Sequence, residues 1–448
     1  MRILDNLEPQ NVFYYFEEIC RIPHGSGNTR QISDYLKAFA DEHDLYCRQD
    51  ELNNIIMIKE ASKGYEDHEP VLLQGHMDMV AVKDADCTID MTKDGLQLEI
   101  LGDRLSAKGT SLGGDDGIAV AYGLAILDST DLSHPALEAV FTVDEEIGLL
   151  GANGFDCSVL KGRRMINLDS EEEGRLWVSC AGGVSGNSYL PVQRVEASGE
   201  KVSIKITGLT GGHSGAEIHK NRASICGYAL KDLEGGLKDN AIPRECTAAL
   251  LVLPEEVSLV TSQAEKMQAA FREEYAGSDE NITIQVTKEG NEDAEVLHPT
   301  SQEKVIFFLM NFPFGVKKMS GTIEGLVETS CNPGIMKLYR DELFVQTSIR
   351  SSVGSAKEAL SHKIQYLSEF LGGEYDTEGN YPAWEYRKDS GLRDKMVEVY
   401  KEMYHQDLQV VAIHAGLECG LFYERMEGLD CTSLGPNILD IRIPLRCA

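Results

Sequence analysis

The spacing of apolar positions divides the chain into helical and strand-like stretches. "NVFYYFEEICRI" (11–22) and "TRQISDYLKAFADEH" (29–43) place apolar residues every three or four positions, which predicts amphipathic helices. "NNIIMIK" (53–59), "PVLLQGHMD" (70–78), "ALEAVFTVDEE" (136–146) and "RRMINLDSEEEG" (163–174) are short apolar runs closed by polar residues, and predict buried strands. Between them "DGIAVAYGLAILDS" (116–129) predicts a helix, with Asp115 and Asp116 at its start. Alternating strands and helices predict an α/β domain with helices on the faces of its sheet.

Near residue 183 the texture changes. "KVSIKITGL" (201–209) alternates strictly, as a half-buried strand does. "ENITIQVTKEG" (280–290) and "ELFVQTSIRSSV" (342–353) also predict strands. "ASICGYALKDLEGGL" (223–237), "SLVTSQAEKMQAAFREEYAG" (258–277) and "SAKEALSHKIQYLSEFLGG" (355–373) predict helices. This is the pattern of an α+β domain, an antiparallel sheet covered by helices. After "NYPAWEYR" (380–387), the helical "LRDKMVEVYKEMY" and the strand "QVVAIHAG" return to the first texture. The expected organisation is a first α/β segment (1–185), an inserted α+β domain (186–378) and a second segment that resumes the first domain (379–448).

Length agrees with two domains, since 448 residues exceed one ordinary core. The formal charge of −31 repels nucleic acid and anionic membranes, so neither is expected as a partner. No run of about 18 apolar residues predicts a membrane span, and "MRILDNLEPQ" has no signal-peptide pattern. Eleven scattered cysteines without a C-x-x-C pair read as reduced thiols, so a cytoplasmic location is expected.

The chemistry gathers where the predicted strands end. "VLLQGHMDMV" delivers His76 and Asp78, "FTVDEE" delivers Glu145 and Glu146, and "MINLDSEEEG" delivers Asp169. The loop "GTSLGGDDG" sets Asp115 and Asp116 at a helix start. Taken singly these are ordinary features: a helix cap, a solvated acidic corner, an isolated His-x-Asp. Together they lie where open α/β sheets bind ligands, outside the carboxyl ends of the strands. Acids converging there with one imidazole repel one another unless cations neutralise them. The donor set suits Zn²⁺, Mn²⁺ or Co²⁺, and bridging carboxylates allow two ions. "GTSLGGDDG" lacks the lysine of a phosphate-binding loop.

In order along the chain, "GHMDMV", "SLGGDDGIAVA", "TVDEEIGLLGA", "NLDSEEEG", "SCAGG", "GGHSGAEIH", "NAIPRE" and "IHAGLECGLF" resemble the aminoacyl-histidine dipeptidases. These are the Xaa-His or cytosol non-specific dipeptidases, di-zinc metallopeptidases related to carnosinases and aminoacylases. The resemblance covers almost the whole chain. It implies a phosphorylase/hydrolase-like α/β zinc-peptidase domain interrupted by an α+β lid that also forms a homodimer. It implies two divalent metals, zinc first, with Mn or Co as alternatives. Carried onto this chain, His76 binds one metal, Asp115 bridges both, Glu146 binds the second and Asp169 the first. Asp78 supports the His76 imidazole, and Glu145 is the general base. A lid histidine, His213 or His219, stabilises the oxyanion, with His219 preferred. Arg350 in "SIRSSV" is suited by its guanidinium to a bidentate clamp on the C-terminal carboxylate of a small dipeptide, with Asn240 and His414 expected as partners. Glu418 is expected to face the substrate amino group.

The resemblance breaks at the carboxyl end. The family carries a histidine ligand shortly after a "GP" turn. Here "SLGPNILDI" is followed by "RIPLRCA", with Arg442 where the histidine is expected. The sequence therefore predicts a weakened metal centre. It leaves three readings: a dipeptidase, a related N-acyl amino acid amidohydrolase, or an inactive binding protein on a peptidase fold.

Overall fold

The computed structural model describes residues 2–214 and 230–439. It forms two compact units. Unit 1 comprises Met1–Ser179, Tyr386–Ala412 and Leu417–Ala448, and unit 2 comprises Cys180–Glu385 with Ile413–Gly416.

Unit 1 is built on an eight-stranded sheet: β1 (Tyr46–Gln49), β2 (Ile55–Lys59), β3 (Val71–His76), β4 (Leu137–Thr142), β5 (Arg164–Asn167), β6 (Arg175–Cys180), β7 (Gln409–Ile413) and β8 (Asp430–Ser433). Their spatial order is β1-β2-β4-β3-β5-β8-β6-β7. The central strands β4, β3, β5 and β8 run parallel, while β1, β2 and β6 pair antiparallel with their neighbours. Parallel strands are covered on both faces, which is why β3 and β4 read as nearly unbroken apolar runs. All six residues of β4 are buried.

Helix α1 (Gln10–Cys20) buries Val12, Tyr15, Phe16 and Ile19, and α2 (Arg30–Glu42) buries Ile32, Leu36 and Phe39. Each keeps a polar outer face, as its spacing predicts. Helix α3 (Gly114–Asp128) is apolar almost all round and lies inside the unit, with Ala119, Val120, Ala121 and Leu124 fully buried. Gly75 allows this close packing. A Cβ there would sit 2.6 Å from both Ala119 Cβ and Asp116 Oδ2. The residue before His76 must therefore lack a side chain for α3 to reach β3.

Unit 2 contains a nine-stranded sheet in which every recorded pairing is antiparallel. The helices Val257–Glu274, Pro299–Asn311 and Gly354–Phe370 accompany it. Its core joins Leu190, Val305, Phe308, Leu343, Ile349 and Ile364.

The predicted helix over 223–237 differs. Its first part falls outside the described residues, and Asp232–Gly235 is a strand between Cys246–Val252 and Val327–Leu338. Leu233 and Gly235 are buried while Asp232 and Glu234 face out. Two inward positions were too few to separate this strand from the apolar residues upstream. The described cysteines are all free thiols. Among the described residues no helix is long and apolar enough to cross a membrane.

Candidate active site

Because β3, β4 and β5 are parallel, they end at one edge of the sheet, at His76, Thr142 and Asn167. The residues just beyond them are Asp78, Glu145 with Glu146, and Asp169. The amino end of α3 brings Asp115 and Asp116 to His76, across a cis peptide bond between the two acids.

His76 is the centre of the cluster and has no exposed surface. Its Nε2 lies 3.0 Å from Asp115 Oδ1. Its Nδ1 lies 3.0 Å from the Asp78 carbonyl oxygen and 3.4 Å from the Asp78 carboxylate. Its backbone N–H donates to Asp116 Oδ2 at 3.1 Å. Ligand-type atoms of His76, Asp116 and Asp169 all lie within 4.8 Å of one another, a group able to hold a metal ion.

Asp78 is held from two sides. Ser26 Oγ donates to its Oδ2 at 2.8 Å, and the Glu145 N–H donates to its Oδ1 at 3.1 Å. Asp144 adopts a left-handed backbone with φ 55°, and its Oδ1 accepts the Gly27 N–H at 2.6 Å. The loop at residues 26–27 thus ties together the segments that follow β3 and β4. The three acids "DEE" separate accordingly: Asp144 braces the turn, and Glu145 and Glu146 are half-buried beside the cluster.

The charges confirm how unfavourable this arrangement is by itself. Burial pushes the Asp116 and Asp169 carboxyls well above the usual carboxylate range, and neighbouring acids push them further. Burial does the same to Glu145, opposed by His76 and reinforced by Asp169, Glu418 and Glu146. For His76 burial opposes protonation, but Asp115 and Asp78 outweigh it and raise the imidazole well above 6.5. Burial also opposes ionisation of Asp78, yet His76 and Ser26 bring that carboxyl below its ordinary value. Asp116 Oδ1 is buried and accepts no hydrogen bond among the described residues. A buried acceptor without a donor, one imidazole and several crowded carboxylates fit a divalent cation.

Glu418 is the residue expected to face a substrate amino group. It has no exposed surface, and its Oε2 accepts from Gln74 Nε2 at 2.5 Å and Thr142 Oγ1 at 2.6 Å. Gln74 Oε1 in turn accepts from Asn167 Nδ2 at 2.6 Å. Oε2 of Glu418 is thus tied to the strand framework of β3, β4 and β5, while its Oε1 is buried with no hydrogen-bond donor among the described residues. Burial pushes its pKa up to about 7.

The remaining candidates lie in unit 2. Arg350 is buried on Glu342–Ser351. Its Nη1 donates to the Tyr381 hydroxyl at 2.9 Å, and its Nη2 lies 3.5 Å from His213 Nε2. His414 Nε2 lies 2.7 Å from Ser330 Oγ. Asn240 is exposed, and its carbonyl accepts the Ser214 N–H. His219 and Arg442 lie outside the described residues.

The sequence placed Asp116 at the helix start among the converging acids without giving it a role of its own, and it showed neither the Gln74–Thr142–Asn167 framework nor Tyr381. Gln74 carried a signal, since it is a polar side chain inside the apolar run of β3, whereas Asn167 sits at the end of β5, where a polar residue is ordinary. Nothing in the sequence showed which side of the helix start Asp116 would face, because a buried acid and a capping acid look alike there.

No family model matches the chain. It is 34% identical to the cytosol non-specific dipeptidase of Escherichia coli, over 98% of this chain and 93% of that protein. The aminoacylhistidine dipeptidase structure from Vibrio alginolyticus superposes with a TM-score of 0.91 at 33% identity, covering 98% of this chain and 93% of that one. The aminopeptidase structure from Bacillus cereus shares the fold, with a TM-score of 0.60 at 14% identity, covering 98% of this chain and 93% of that one. With such identity along nearly its full length, the chain belongs to the aminoacylhistidine, or cytosol non-specific, dipeptidase family.

Proposed function

We propose that this chain is a metal-dependent dipeptidase that hydrolyses Xaa-His and other dipeptides. The observation that carries the reading is the group His76, Asp116 and Asp169, with Asp115 against His76, at the carboxyl edge of a parallel sheet. His76, Asp115, Glu146 and Asp169 would hold two divalent cations, zinc first or Mn or Co in its place, with Asp116 beside them. When bound, such ions polarise the scissile carbonyl and acidify a water molecule.

The chain's own residues supply the rest. A Glu145 carboxylate oxygen takes a proton from the attacking water and returns it to the leaving amine. Asp78 fixes the His76 ring through its carbonyl and carboxylate, as supporting partners of ligand imidazoles do. A histidine of unit 2, His213 or His219, donates to the developing oxyanion. Arg350 binds the dipeptide carboxylate, with Asn240 and His414 assisting. Unit 2 acts as a lid and homodimerises, and the protein works in the cytoplasm.

The test is a hydrolysis screen of purified protein with added Zn²⁺ or Mn²⁺. Xaa-His dipeptides should turn over well above tripeptides and N-acyl amino acids. Preference for N-acyl amino acids would favour an amidohydrolase, and no turnover of any of them would overturn the reading.

A further inference from the structure

Unit 2 carries a row of residues in register across four adjacent strands. Ser330 faces Arg350, Arg350 faces Gly183, and Gly183 faces Tyr381. Directly opposed residues share one face of a sheet. Arg350 and Tyr381 are therefore separated by one intervening strand, about 9–10 Å between their backbones. They nevertheless meet at 2.9 Å, Nη1 to the phenol oxygen. The residue between them makes this contact possible. A Cβ on Gly183 would lie 2.5 Å from both Cζ and the hydroxyl of Tyr381. On its other side a Cβ on Gly416 would lie 2.7 Å from Cε2 of the same ring. The tyrosine ring occupies a slot made by two residues without side chains. Glycine inside a strand often marks such a close approach.

The tyrosine backbone is anchored as well. Lys357, buried on Gly354–Phe370, donates Nζ to the Tyr381 carbonyl at 2.5 Å and to Asn380 Oδ1 at 2.7 Å. Arg350 keeps Nε buried and without a hydrogen-bond partner among the described residues. A guanidinium held at one end by a phenol retains donors for a planar anion.

We infer that Tyr381, seated between Gly183 and Gly416, is a positioning residue that orients Arg350 for the carboxylate of the dipeptide and so sets the preference for a free C-terminus. This rests on the reading of Arg350 as the carboxylate-binding residue. Gly183 of "SCAGG" and Gly416 of "HAGLECG" thereby gain a role: they leave room for an aromatic ring.

The test compares KM, kcat and the preference for an Xaa-His dipeptide over its C-terminal amide, in the full metal-loaded chain. Tyr381→Phe keeps the ring in its slot and removes only the hydroxyl. It should raise KM for the free acid about tenfold and reduce the acid-over-amide preference by a similar factor, with kcat changed less than about threefold, because one hydrogen bond to a charged group is lost. Gly183→Ala, which displaces the ring, should move KM in the same direction. Arg350→Ala is the control for the underlying reading and should abolish the preference. If Arg350→Ala does so and Tyr381→Phe leaves KM and preference within twofold, the role of Tyr381 is overturned and the clamp stands. If Arg350→Ala also leaves the preference intact, the clamp itself is wrong. A fall in kcat with unchanged KM for Tyr381→Phe would also overturn the inference, since orientation of a binding group acts on KM.

Discussion

Glu145 and Glu146 are neighbours in the chain with different proposed tasks. Glu145 has its carboxyl pushed well up by burial and surrounding acids, which is the condition of a group that must accept and release a proton near neutral pH. Glu146 belongs to the proposed ligand set. Substituting Glu145→Gln keeps size and removes the proton-accepting function. We expect kcat to fall about 100-fold or more, while calorimetric zinc affinity changes much less. Equal losses in both would move Glu145 into the ligand set.

At the scale of elements, the carboxyl edge of the sheet and the loops behind it define the site. Much of this was legible: the apolar runs ending in "GHMD", "TVDEE" and "NLDS" are the strands β3, β4 and β5, and they stop where the chemistry begins. Apolar periodicity carries that information because strand burial is local. What was not legible depends on partners far away in sequence. Glu418 lies 344 residues from Gln74, and no local pattern shows that its carboxylate is enclosed. Tyr381 reaches Arg350 only because a strand from elsewhere puts Gly183 between them. Ser26 and Gly27 likewise reach Asp78 and Asp144 across long separations. The turn at Asp144 gives an element-scale prediction. Asp144→Ala removes the bond to Gly27 and leaves a Cβ in a left-handed backbone, where Asp is better tolerated. The expected cost is about 1–3 kcal/mol, read as a lowered thermal unfolding midpoint of the metal-loaded protein. An unchanged midpoint would remove Asp144 from the framework.

At the scale of the whole molecule, the acidic cluster makes stability depend on cations and pH together. The carboxyls of Asp116, Asp169, Glu145 and Glu418 are all raised in the metal-free chain. A raised acid holds its proton more tightly folded than unfolded, so its contribution is complete at low pH and is lost as pH rises. For Glu418 the window runs from 4.5 to about 7, worth about 3 kcal/mol at one pKa unit per 1.36 kcal/mol. The chelated protein should therefore unfold at a lower temperature at about pH 8 than at about pH 5, and added zinc should shrink the difference. A chelated protein equally stable at both would contradict the burial of these acids.

The dipeptidase reading itself meets its most direct test in turnover of an Xaa-His dipeptide before chelation, after chelation and after Zn²⁺ or Mn²⁺ is restored. The account predicts turnover that disappears with the metal and returns with it. Turnover that survives complete chelation would contradict it.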